Sequence, residues 1–147
     1  MDIYAPEVRS KIMASIRSQN TRPELIVRSA LHKMGFRFTI HASQLPGKPD
    51  IALPRYRMVI WIHGCFWHGH RLCAAGRKRP TTNVEYWDPK LAANKRRDRT
   101  HMRAVNRLGW KNFVIWECEI KEQRAFAAKL QLFKRVASRG VDDKKAN

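Results

Sequence analysis

Leu45-Pro46-Gly47-Lys48-Pro49-Asp50-Ile51-Ala52-Leu53, continued by Met58-Val59-Ile60-Trp61-Ile62-His63, is the stretch whose reading decides the fold. Pro46-Gly47-Lys48-Pro49 blocks both a helix and a central strand, because each proline lacks a backbone donor and glycine favours a turn. The chain therefore turns at Leu45 to Pro49, and Asp50 to Leu53 leaves that turn as a strand. Arg57 to Ile62 is a second strand. Its Met58 to Ile62 run is apolar throughout and has the length expected of a buried central strand. Asp50 thus stands at the start of a strand, close to a turn.

Upstream, Thr21 and Glu24 make a capping-box pattern, Pro23 sits in the first turn and Gly35 supplies a stop, which predicts a helix. Leu25, Ile26, Ala30, Leu31 and Met34 are its expected core face. Pro6 to Gln19 reads as a shorter basic helix with Val8, Ile12, Met13 and Ile16 at helical spacing. Phe36, Phe38 and Ile40 alternate with polar residues as a strand does. Downstream, His63 to Tyr86 is irregular and rich in Gly, His, Cys and Arg, and roughly 24 residues is long for a loop that nothing holds. Asp88 as N-cap and Pro89 at the first helical position predict another helix, basic from Lys95 to Arg99 and ending at Gly109. Phe113 to Trp116 is a further apolar strand, and Glu122 to Ala137 a closing amphipathic helix before a polar tail at 139–147. This order predicts one α/β domain over 1–147, with a mixed sheet flanked by helices.

Composition narrows the function. The 147 residues are 44% hydrophobic and include five Trp and six Phe, which excludes a disordered chain of low hydrophobicity. Thirty Lys and Arg face 12 Asp and Glu, a formal charge of +18, so the natural partner is a polyanion. The basic residues are spread along the chain, which assigns the field to a folded surface such as a nucleic-acid-binding face. A basic structural protein is the alternative at this level. No apolar run approaches the roughly 20 residues needed to span a membrane. Met1 to Ser10 has no signal-peptide pattern, so a cytoplasmic chain without a membrane partner is expected.

Three cysteines, an odd number, argue against a disulfide framework and for a reducing compartment. Cys65, His70 and Cys73 lie close in sequence, and Cys118 follows the strand Phe113 to Trp116. Three thiolates and one imidazole are a standard closed set for structural zinc, which would pin the irregular loop onto the end of the last strand. Spacing alone leaves His63 and His68 as alternative fourth ligands, and three buried free cysteines as the simpler reading.

Asp50, His63 and His68 surround the buried strand and its exit in a chain whose partner is a polyanion. A carboxylate there suits Mg²⁺, which prefers oxygen ligands, and phosphodiester hydrolysis needs both charge neutralisation and a group to orient water. Histidine fits the second task because its pKa lies near neutrality. Each residue also has a structural reading: Asp50 as a turn cap, His63 as a satisfied interior group, Glu24 as a capping-box partner, Phe66 and Trp67 as core.

Pro49-Asp50 ahead of a central strand resembles the first half of the PD-(D/E)xK nuclease signature. His63-Gly64-Cys65-Phe66-Trp67-His68 strongly resembles the very short patch repair (Vsr) endonucleases. The similarity extends through Leu45 to Asp50, Glu85-Tyr86-Trp87, Arg96-Arg97-Asp98-Arg99, and Leu108-Gly109-Trp110 to Trp116-Glu117-Cys118, over most of residues 10–120.

That resemblance implies a restriction-endonuclease-like fold and a DNA mismatch endonuclease that nicks the thymine-containing strand at a T·G mismatch in double-stranded DNA. Asp50 matches the family's magnesium-binding aspartate, with the backbone carbonyl of Ile62 beside it. His68 matches the histidine acting on the attacking water, His63 the second active-site histidine, and Glu24 the glutamate of the early helix. Cys65, His70, Cys73 and Cys118 match the zinc ligands, and Phe66, Trp67 and Trp87 the aromatic wedge that intercalates at the mismatch. Lys95, Arg96, Arg97 and Arg99 are the expected phosphate contacts. Asymmetric nicking suits a monomer, and mismatch-repair proteins are candidate partners. The chain departs from the best-known member in two places: Ile62 stands where that protein has threonine, and Arg71 and Leu72 make the zinc loop one residue longer. Two other readings remain at this stage, a restriction-type nuclease acting on matched duplex and a zinc-stabilised DNA-binding module without catalysis.

Overall fold

The computed structural model of the protein describes residues 19–145, with side chains as far as residue 140. Apart from Gln19, the helix expected at Pro6 to Gln19 lies outside the described residues. The elements in order are α1 (Arg22–Lys33), β1 (Thr39–Ile40), β2 (Ile51–Leu53), β3 (Met58–His63), α2 (Cys65–His68), α3 (Ala74–Arg77), α4 (Val84–Arg107), β4 (Lys111–Trp116), α5 (Glu117–Lys121) and α6 (Gln123–Lys145).

The sheet has the order β1-β2-β3-β4. β1, β2 and β3 pair antiparallel, β2 and β3 through a short turn and β1 and β2 through the longer loop that carries Pro46 to Pro49, whereas β3 and β4 pair parallel and are linked through the long helix α4, as a parallel crossover requires. The mixed α/β sheet read from the sequence is present. Met58, Ile60, Phe113 and Ile115 pack with Val27, Leu31 and Phe133 from α1 and α6. Val59 and Trp61 pack on the opposite face with Val105 and Met102 of α4. Burial on both faces explains why β3 is apolar at every position rather than at alternate ones. His63 pairs with Trp116 at the last rung, so β3 and β4 end level, and α2 and α5 begin side by side.

Several expectations need correction. Leu31 is buried and Met34 packs against the core as expected, but Leu25 and Ile26 are half or one-third exposed and Val27 faces the core in their place. The apolar residues of α1 fit two overlapping stripes, and packing chose the one in line with Glu24. The strand Phe36 to Ile40 is reduced to Thr39–Ile40, with Phe36 drawn into the core against Phe133 and Tyr56. α4 opens at Asn83 rather than Asp88, placing Pro89 inside the helix. The N–H groups of Tyr86 and Trp87 donate to the Asn83 carbonyl, and Trp87 gains contacts with Phe66 and Trp67 that a helix starting later would forgo. The irregular segment after His63 contains α2 and α3. α6 continues through the polar segment to Lys145, since the single Gly140 costs only about 1 kcal/mol in a helix.

Candidate active site

Asp50 leaves the Pro46–Pro49 turn immediately before β2. Gly47 lies so close to the His101 ring of α4 that no side chain would fit between them, which seats the turn on the helix. The Asp50 Oδ2 accepts the Ile62 N–H at 2.7 Å, tying the carboxylate to the C-terminal end of β3. Burial raises its pKa to about 6, with Glu24 adding to the rise. Asp50 is therefore more than a turn cap: it is a desolvated carboxylate opening on a cleft of about 620 Å³ that Glu24, Ile62, His63, His68 and Asp98 also line.

His63, the last residue of β3, is buried, and its ring stacks on His68 at 3.9 Å with planes 5° apart. Burial and the neighbouring His68 push its pKa down to about 4, so the ring is neutral at pH 7. Its Nδ1 has no hydrogen-bond partner among the described residues. A merely structural histidine would be satisfied; this one is not. His68 closes α2, and its Nδ1 lies 2.6 Å from Asp98 Oδ2 on α4. Asp98 was missed as a site residue, although a lone acid inside the basic run Lys95 to Arg99 was a readable signal.

Glu24 departs from its capping box. Thr21 Oγ1 accepts the Glu24 N–H at 3.5 Å, but the Glu24 carboxylate accepts from Asn20 N–H and from Arg28 and lies 3.2 Å from His41 Nε2. Glu24 is buried, and it groups with His41 and Asp50 as potential metal ligands, all three donor atoms within 4.8 Å of one another. Nothing in the sequence signalled His41; only the β1–β2 pairing brings it here.

Cys65, His70, Cys73 and Cys118 form a second potential metal set, again with donor atoms within 4.8 Å of one another. Cys65 opens α2, Cys118 lies in α5, and the level ends of β3 and β4 bring those two helices together. The Cys118 N–H points at Cys65 Sγ (3.4 Å), and His70 Nδ1 lies 3.4 Å from Cys118 Sγ. His70 stacks on Trp116 at 4.2 Å, and Gly76 packs so tightly on the His70 carbonyl that a methyl group would clash. His63 and His68 belong to a separate group with Asp98, so His70 is the histidine that joins the cysteines. Three sulfurs and a nitrogen fit a tetrahedral ion, whose ligand–ligand edges are about 3.8 Å for bonds of about 2.3 Å. The cysteines are not ordinary core residues: Cys73 and Cys118 are only half-buried.

Phe66, Trp67 and Trp87 touch one another edge to face or tilted, with ring centroids 5.4 to 5.7 Å apart, and none is fully buried. Lys90 lies over the Trp67 and Trp87 rings. Among the basic residues, Arg97 lines the Asp50 cleft, while Lys95 and Arg99 line a neighbouring cleft on the other side of His68. Arg96 is exposed and lines neither.

The chain matches the profile of the DNA mismatch endonuclease Vsr family over residues 1–74. It is 37% identical over 120 residues to the DNA mismatch endonuclease Vsr of Escherichia coli, an alignment covering 82% of this chain and 76% of that protein. The chain belongs to the Vsr family. It is also 45% identical over 130 residues to the type II nicking enzyme V.XorIIP of Xanthomonas oryzae pv. oryzae, covering 88% of this chain and 94% of that one. The type II nicking enzyme V.NmeAIP of Neisseria meningitidis is 40% identical over 122 residues, 83% of this chain and 86% of its own. Membership makes this chain a DNA endonuclease, in keeping with its charge of +18. No helix among the described residues is long and apolar enough to cross a membrane.

Proposed function

We propose that this chain recognises a T·G mismatch in double-stranded DNA and nicks the thymine-containing strand, on a restriction-endonuclease-like fold. The observation that carries this reading is α2: within Cys65–His68, one turn of helix holds the aromatic pair Phe66 and Trp67, the histidine His68 facing the Asp50 cleft, and a thiol of the metal-ligand set. Recognition and chemistry are then rigidly coupled.

Phe66, Trp67 and Trp87 are the wedge. Inserting rings into a base step costs a few kcal/mol of unstacking, and a mispair lowers that cost, so insertion itself discriminates. Lys95, Arg96, Arg97 and Arg99 contact phosphates and supply affinity without specificity.

Asp50 and the backbone carbonyl of Ile62 would hold Mg²⁺, which supplies charge neutralisation at the scissile phosphate when bound. The donor chemistry fits: a desolvated carboxylate beside a second carboxylate, Glu24. Asp98 accepts a hydrogen bond from the His68 Nδ1–H, which leaves Nε2 as the atom that takes a proton from the attacking water. His63 stays neutral and lines the cleft with its ring stacked on His68, which holds the His68 imidazole in place. Because Asp50 takes only the backbone N–H of Ile62 and Mg²⁺ would take only its backbone carbonyl, the isoleucine side chain is compatible with the reaction. Cys65, His70, Cys73 and Cys118 would hold a structural zinc that fixes α2 against α5. The exposure of Leu72 and the grouping of the four ligand atoms support a longer loop that bulges outward and leaves the ligand set together. We place the enzyme in the cytoplasm, acting as a monomer, with mismatch-repair proteins as candidate partners.

The test is cleavage of a labelled duplex bearing one T·G pair beside its T·A control, with and without Mg²⁺, by wild type and Asp50→Asn. A nick confined to the thymine strand of the mismatched duplex, requiring Mg²⁺ and Asp50, is expected. Equal cutting of both duplexes would make it a nuclease of matched sites, and binding without cutting a recognition module.

A further inference from the structure

His41 reaches the active site although neither the sequence pattern nor the reaction above uses it. It follows β1 with a left-handed backbone, φ 47°, and its N–H donates to the Asp50 carbonyl at 3.2 Å. That conformation is unfavourable for a residue with a Cβ, and it lets the ring meet α1 from the end of the β1–β2 ladder. The ring nitrogen Nε2 lies 3.2 Å from Glu24 Oε2, and one atom each of His41, Glu24 and Asp50 lies within 4.8 Å of the other two. His63 and His68 form a distinct group with Asp98, so two sets of histidine and carboxylate donors lie side by side, the second reaching the cleft through Glu24 and Asp50.

Two carboxylates this close in a desolvated cleft repel one another unless a cation lies between them. Arg28 answers part of that need, with Nη2 2.9 Å from Glu24 Oε2 and 3.4 Å from His41 Nε2. Asp50 has no ion-pair partner among the described residues. A divalent ion drawing on all three residues would have two oxygen donors and one imidazole nitrogen. Mg²⁺ selects oxygen ligands almost alone, whereas imidazole suits transition ions.

We propose that His41 is a nitrogen ligand in a cation site shared with Asp50 and Glu24, and that it biases this site toward Mn²⁺ over Mg²⁺. The proposal rests on the reading of Asp50 as a cation ligand. Arg28 acts as an internal competitor for Glu24, so its removal strengthens cation binding while removal of His41 weakens it. A hydrogen-bonded clamp whose only task is to hold Glu24 gives no such opposition of signs.

The experiment titrates the full chain with Mn²⁺, following free Mn²⁺ by electron paramagnetic resonance, and obtains Mg²⁺ affinity by competition. His41→Asn keeps the left-handed backbone accessible and replaces nitrogen with an oxygen donor. It is expected to lower the Mn²⁺/Mg²⁺ affinity ratio about tenfold, within the range seen when a metal site loses one supporting group. Arg28→Met is expected to tighten Mn²⁺ binding severalfold. An unchanged ratio in His41→Asn, or weaker Mn²⁺ binding in Arg28→Met, overturns the proposal. Asp50→Asn is expected to lose binding of both ions. If it binds Mn²⁺ as the wild type does, Asp50 is not the cation ligand, and the underlying reading fails along with this one.

Discussion

Replacing Asp50 by Asn is expected to stabilise the protein at neutral pH and to leave its stability near pH 4 almost unchanged. Asn keeps an oxygen to accept the Ile62 N–H, so the exchange removes a charge and little else. Burial raises the Asp50 pKa from 3.8 to about 6. The folded state therefore holds this proton more tightly than the unfolded chain, and stability is lost as pH rises between those values. At about 1.4 kcal/mol per pKa unit, the ionised Asp50 costs up to about 3 kcal/mol at pH 7. His63 acts in the opposite sense. Its pKa falls from 6.5 to about 4, so the unfolded chain binds the proton more tightly and stability is gained as pH rises through that window. The two effects have similar size and overlap, so the wild type is expected to be nearly flat from pH 4 to 6.5. Asp50→Asn should expose the His63 slope and grow more stable with rising pH, and His63→Gln should expose the Asp50 slope and weaken. Denaturant unfolding at intervals from pH 4 to 7 measures this, in buffer free of Mg²⁺ and of chelator so that any structural zinc stays bound. At roughly 4 °C per kcal/mol for a chain of this size, melting should separate Asp50→Asn from wild type by about 10 °C at pH 7. Parallel pH curves for the wild type and both variants would refute the reasoning, because they would mean that neither group is desolvated in the folded state.

Asp98→Asn leaves His68 without an anionic orienting partner and is expected to lower kcat roughly 10- to 100-fold with little change in DNA affinity; single-turnover cleavage beside a binding titration separates the two. Removing zinc with a chelator, or replacing Cys118 by Ser, is expected to lower the melting temperature sharply and to detach α2 from α5, since structural zinc contributes roughly 10 kcal/mol or more; metal analysis should give one zinc per chain before treatment. Trp67→Ala removes one stacking surface worth about 1 to 3 kcal/mol per base, so binding to the T·G duplex should fall by roughly 5- to 150-fold while binding to matched duplex changes little.

The strand pair around Asp50 was legible because its signals are local. Proline cannot donate into a sheet, and a run of five apolar residues between polar turns has few other uses. The four zinc-type ligands were legible by chemistry, although the choice of His70 over His63 and His68 needed either the family pattern or the coordinates. The apolar face of α1 was legible at Leu31 and Met34 but not in the first turns, because Leu25, Ile26 and Val27 are consecutive and a helical stripe can be drawn through any one of them. The start of α4 was misplaced because Asp88-Pro89 is a strong local signal, which contacts between Trp87 and the rings of α2 override.

The sequence by itself determined the α/β class, the family, the polyanionic partner, and the residue types around Asp50, since these follow from composition, short-range spacing and backbone chemistry. Tertiary structure decided which side chains meet. The His68–Asp98 pair joins residues 30 positions apart, and the His41–Glu24 contact residues 17 apart. The level ends of β3 and β4 carry Cys65 to Cys118 across 53 positions. Desolvation belongs to the same level: Asp50 and His63 titrate in opposite directions because the packed sheet and helices exclude water from both, a property of the enclosed volume that no residue carries alone.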